Sequence, residues 1–238
     1  MTARPSPTTS LPETFGTLGV SARRLAAGTG AAADGDAGGD LHGVVDTPYG
    51  TRLLIGDVMG KGAELSRTAD TVLRTWQRLA RVQRTLEVLA VRLHSLVAHS
   101  EEPDRFVTAT LVTVGPDGSA EVVCCGHPPP LLIRDGATVP AAVPAPAPPL
   151  GLLDLAHGWC GAEQISAASW DRMLLHTDGA TEARDADGEF YPLAERATEL
   201  SALPLAPFTA ALSVDLLHHA GGRLQDDATL LALEPATS

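Results

Sequence analysis

The chain has 238 residues, 44% of them hydrophobic, which is enough to bury a substantial core. With 29 acidic against 17 basic residues it carries a net charge of -12, and no basic stripe marks it for nucleic acid. Its apolar runs fall well short of the roughly 20 residues that span a bilayer, and the N-terminus lacks a signal peptide's apolar stretch, so a soluble cytoplasmic protein without nucleic-acid or membrane partners is expected.

In chain order, Pro-, Ser- and Thr-rich residues 1–12 predict a disordered tail, with one domain over 13–238. Small and polar residues 27–39 predict a loop. "LHGVVDTPYGTRLLIGDV" predicts a β-hairpin turning at "DTPYG". Helices are expected over 63–80 and 85–99, the second from the i, i+3, i+4, i+7 pattern of Leu86, Leu89, Leu93, Leu96 and Val97. "FVTATLVTV" and "SAEVVCCG" form a second hairpin about "GPDG", and "PLLIRDGATV" a third about Asp135 and Gly136. Proline-rich residues 140–151 read as a surface loop within the domain, because strand-like sequence continues on both sides. "WDRMLLHTDG" is a strand entering a loop, helices follow over 192–200 and 207–219, and residues 228–233 close the chain as a strand. Strands and helices are segregated, which favours antiparallel sheets covered by helices over a doubly wound parallel sheet.

The three cysteines, Cys124, Cys125 and Cys160, lack zinc spacing and read as ordinary free thiols. "GDVMGKG" resembles a phosphate loop only superficially. Three residues instead of four separate Gly56 from Gly60, Gly62 follows Lys61 where a hydroxyl is needed, and Asp57 would repel phosphate. An aspartate ending a buried strand before glycines suits a cation instead. Asp40 after "GG", Asp178 in "LLHTDG", and Asp226 and Asp227 before the last strand repeat that placement in other segments. Gathered carboxylates repel one another unless a cation neutralises them, and all-oxygen donors select Mg²⁺ or Mn²⁺ over Zn²⁺.

Taken together, "GGD", "LLIGDVMGKG", "FVTATLVTV", "VVCCGHPPPLLIRDG", "LLHTDGATEARDADGEF" and "DDATLL" resemble the metal-dependent type 2C protein phosphatases, in the bacterial branch of SpoIIE and RsbU, from about residue 11 to 233. The resemblance implies an α+β fold, a four-layer α-β-β-α sandwich of two antiparallel sheets. It implies two Mn²⁺ or Mg²⁺ ions, with Asp57 bridging them and the Val58 carbonyl as a further ligand, Asp40 serving the second ion through water or directly, and Asp178 and Asp226 binding the first. Asp57 and Asp178 are its catalytic candidates, while Arg23 occupies the branch's arginine position. Lys61, His42 and Arg184 are candidate substrate contacts, and His127 in "GHPPP" reads as a rigid turn near the site. The implied activity is hydrolysis of phosphoserine or phosphothreonine on a protein substrate, an anti-sigma-factor antagonist, under a regulatory partner or a homodimer formed through the helices after Gly62. Gly43 stands where the branch has an acidic residue, and "GAELSRTAD" is more polar than usual. A catalytically idle binding module of the same fold is the alternative.

Overall fold

The computed structural model describes residues 13–28, 38–60, 64–100, 105–157 and 160–236. The expected tail, Lys61, Gly62 and Trp159 therefore lie outside the described residues.

Strands β1 (Glu13–Phe15), β2 (Leu18–Leu25), β7 (Leu131–Arg134), β8 (Ala137–Pro140), β10 (Arg172–His176) and β11 (Ala228–Pro235) form one antiparallel sheet in the order β1-β2-β11-β10-β7-β8. Strands β3 (Asp40–Thr47), β4 (Gly50–Val58), β5 (Val107–Val114), β6 (Ala120–Cys125) and β9 (Glu163–Ile165) form the other in chain order. Helices α1 (Glu64–Leu79) and α2 (Leu86–Ala98) cover the second sheet. Short α3 (Asp178–Thr181), α4 (Leu193–Leu200) and α5 (Leu205–His219) pack on the first. The expected four-layer α+β sandwich is what the chain forms.

Strand alternation divides the apolar residues among three cores. Leu53, Ile55, Val112, Met173, Leu175 and Leu231 meet between the sheets. Leu54, Leu111 and Val123 point outward to Trp76, Leu89 and Leu93 of the first helix pair. Leu174, Leu230 and Ala232 point to Phe208, Leu212 and Leu216 of α5. Gly43 has a packing reason, since a Cβ there would come within 2.7 Å of the Trp76 ring and 2.8 Å of Leu73.

The three expected hairpins form, and Asp135 and Gly136 both take positive φ, 50° and 71°. The proline-rich loop is bound into the sandwich: Ala147 bonds Cys124 and Gly126, and Leu150 exchanges two bonds with Val107. Three details depart from expectation. Strands β1 and β9 are only three residues each, too short to show an alternation. Helix α5 begins two residues before Pro207, whose missing N–H is harmless in a first turn. Asp178 opens a helical turn rather than a loop. The cysteines are free, as expected, and buried, and Trp76 and Trp170 are core residues.

Arg52 fastens the helix pair to β4. Its guanidinium is buried, donates to the carbonyls of Ala80 (2.7 Å), Gln83 (2.6 Å) and Arg84 (2.8 Å) and to Thr113, and lies 4.9 Å from the Tyr49 ring. Arg52→Ala leaves three carbonyls unmet and a void, so a loss of about 3–5 kcal/mol in urea unfolding is expected. Arg52→Lys, a single point charge in place of a planar fork, recovers only part of it.

Candidate metal centre

The acidic residues converge at one edge of the sandwich because antiparallel pairing brings strand ends of different hairpins together. Asp40 and Asp57 are direct cross-strand partners on β3 and β4, and Asp57 faces Thr108 on β5. From the other sheet, Asp178 follows β10 while Asp226 and Asp227 precede β11, β10 and β11 being adjacent.

Asp57 is the electrostatic focus. Burial first, then the charges of Asp178, Asp226 and Asp227, push its carboxyl up to about 7, against a smaller opposing effect of the Val58 N–H. Asp40 is 5% exposed and is raised well above the usual carboxylate range, by burial first and also by Asp57. Its Oδ2 accepts hydrogen bonds from Thr177 (3.0 Å) and Thr229 (2.5 Å) on the opposite sheet. Thr177 is itself oriented by the Thr229 N–H, 2.8 Å from its hydroxyl.

Glycines make the close approach possible. A Cβ on Gly39 would lie 2.3 Å from Asp57 Oδ1 and 2.7 Å from the Val58 carbonyl oxygen. The Gly39 carbonyl accepts the Val58 N–H at 3.1 Å, which sets that strand end.

The substrate candidates separate. Arg23 lies on the outer face of β2 with Ser21, which bonds Thr209 of α5, and its register partner Leu230 belongs to the outer core. Arg24, one residue on, occupies the face expected for Arg23. It pairs with Asp227 at 3.0 Å and lines a cavity of about 120 Å³ with Gly38, Asp40, His42 and Asp70. His42 is half-buried and held neutral, at about 4, by desolvation and by Arg24. Arg184 is engaged within its own loop, over the Phe190 ring at 3.9 Å and donating to the Gly188 carbonyl. Asp227 also accepts the Ala27 N–H at 2.9 Å, so its carboxylate anchors the end of β2. Sequence reading passed over Arg24, Thr177 and Thr229; the threonines' position beside "TD" and "DDAT" was the available signal.

Among the described residues no three His, Cys, Asp or Glu side chains close into a ready-made cage. The donor chemistry nevertheless fits a hard divalent cation: oxygen ligands, and a central carboxylate raised by burial and by neighbouring like charges.

Comparison with protein families matches residues 47–235 to Stage II sporulation protein E (SpoIIE). The chain belongs to the SpoIIE family. SpoIIE-like folds recur among solved structures. The RsbU and RsbW domains of Rv1364c from Mycobacterium tuberculosis match with a TM-score of 0.76 at 22% identity, over 93% of this chain and 61% of that one. The PP2C phosphatase domain of SpoIIE from Bacillus subtilis, with a fragment of its regulatory domain, matches with a TM-score of 0.67 at 17% identity, over 90% and 63%. RsbX in complex with magnesium matches with a TM-score of 0.65 at 13% identity, over 93% and 97%. The chain thus spans less than two thirds of the first two. No curated protein matches the sequence. No helix among the described residues is long and apolar enough to cross a membrane.

Proposed function

We propose that this SpoIIE-family chain is a Mn²⁺- or Mg²⁺-dependent serine/threonine protein phosphatase using two ions. The observation that carries the reading is the Asp57 carboxyl, raised to about 7 by burial and by Asp178 and Asp226. Such a group favours an added positive charge. Asp57, Asp178, Asp226 and the Val58 carbonyl are the holding groups, with Asp40 oriented from behind by Thr177 and Thr229. When bound, the ions supply an activated water near neutral pH and charge neutralisation for phosphoryl transfer. The chain's own residues set the geometry: β4 fixes Asp57, and Gly39 leaves its carboxylate room. Arg24, paired with Asp227 and beside Asp40 and His42, is read as a contact for phosphoryl oxygens in place of Arg23. His42, held down at about 4 by burial and by Arg24, faces the site as a neutral imidazole.

The substrate is read as a phosphoserine or phosphothreonine protein of the anti-sigma-antagonist kind, in line with the RsbU and RsbW domains joined in the mycobacterial relative. A regulatory protein, or a second copy at α1 and α2, is the proposed controller. The open arrangement of the carboxylates favours one other reading, an idle module of the same fold.

The test is hydrolysis of p-nitrophenyl phosphate and of a phosphoserine peptide, with and without Mn²⁺, beside Asp57→Ala and Asp178→Asn. Metal-dependent turnover lost in both variants is expected. Neither Mn²⁺ binding nor turnover in the wild type would leave the idle module standing.

A further inference from the structure

His127 is 6% exposed and belongs to neither sheet's ladder, yet it bonds both. Its Nδ1 lies 3.0 Å from Thr108 Oγ1 on β5, and its Nε2 lies 3.0 Å from the His176 carbonyl oxygen at the end of β10. A carbonyl only accepts, so Nε2 carries the proton and Nδ1 accepts the Thr108 hydroxyl. Thr108 is the cross-strand partner of Asp57, and its Oγ1 lies 3.5 Å from the Asp57 carbonyl oxygen. His176 stands two residues before Asp178. One imidazole therefore joins the strand neighbouring Asp57 to the strand leading into Asp178.

The remaining contact between the sheets is chiefly apolar packing, which is non-directional and fixes no ångström-level separation. Directional bonds cross at both ends of the sandwich: the Gly16 N–H to Asp46 and the Thr51 hydroxyl to the Phe15 carbonyl at the far end, and at the carboxylate edge His127, and Asp40 with Thr177 and Thr229. The loop holding His127 is rigid. Gly126 has φ +63°, a Cβ there would lie 2.5 Å from Pro149, and three prolines follow His127. Burial and the neighbouring His176 keep the imidazole neutral, at about 3, so its donor and acceptor stay in place at working pH.

We infer that His127 is a positioning residue that sets the spacing between Asp57 and Asp178 across the two sheets and so tunes divalent-cation affinity. The inference rests on the phosphatase reading above. His127 itself touches no reacting atom.

The test is direct titration of the full chain with Mn²⁺, read as Kd, alongside thermal unfolding. His127→Ala is expected to weaken Mn²⁺ binding about 10-fold or more. Thr108→Val, nearly isosteric, removes one arm and weakens binding in the same direction, and it carries the test if His127→Ala fails to fold. The double variant should be no weaker than His127→Ala alone, because both cut one link. His127→Asn, which keeps a donor and an acceptor, recovers part of the loss. Phe208→Leu, in the outer helix layer, is the control: it lowers the melting temperature and leaves Kd unchanged. An unchanged Kd in folded Thr108→Val and His127→Ala would overturn the inference while leaving the phosphatase reading intact. A wild-type chain that binds no Mn²⁺ would overturn both.

Discussion

Asp57→Asn is expected to make the chelator-treated protein more stable at pH 8 and, on the proposed phosphatase reading, to remove metal-dependent turnover. The carboxyl stands at about 7 in the fold, raised from an ordinary value of 3.8 by burial and by Asp178, Asp226 and Asp227. Between those values the folded chain binds the proton more tightly than the unfolded one, so this group's contribution to stability falls as pH rises through the interval. Above pH 7 the ionised carboxylate costs on the order of 2–4 kcal/mol, and the neutral amide relieves it. For a chain of this size that corresponds to a rise of roughly 5–10 °C in melting temperature. The gain should shrink steadily toward pH 4, where both forms are neutral. Mn²⁺ should reverse the order, raising the wild-type midpoint and leaving the variant's in place. Turnover should fall roughly 10³-fold. A variant no more stable than wild type at pH 8 would remove the charge-repulsion account of the site.

Gly179→Ala is the strongest expected backbone effect. A Cβ there would stand 1.9 Å from the Asp227 carbonyl oxygen and 2.9 Å from its carbon, backbone against backbone. No rotamer relieves such a clash, so α3 must part from the start of β11, at about 3 kcal/mol or more. The displaced segments carry Asp178 on one side and Asp226 on the other, so Mn²⁺ affinity should fall with stability. Gly188→Ala provides the contrast. Nothing lies within 4 Å of a Cβ at that position, and only its φ of +88° opposes a side chain. It should cost about 1–2 kcal/mol and leave Mn²⁺ binding unchanged.

The sequence by itself determined what neighbours along the chain decide. The turn at Asp135 and Gly136, the apolar face of α2, the apolar runs of β4 and β5, and the placing of acidic residues at strand ends depend on local pattern and turn chemistry. The motifs between Gly38 and Leu231 were likewise legible as a family resemblance, which implied the sandwich. Tertiary structure alone decided which side of β2 meets the carboxylates. A strand's faces alternate every residue, so only pairing with β11, Arg24 against Thr229 and Arg23 against Leu230, selects Arg24. It also decided that Asp227 is tied to Arg24, that Asp40 is held by Thr177 and Thr229, and that His127 links β5 to β10. Those partners are separated by up to 203 positions in the chain, as in the Arg24–Asp227 pair. The charge state of Asp57 belongs with them, because desolvation and Coulomb repulsion are properties of what surrounds a carboxyl in space, and no local pattern encodes them.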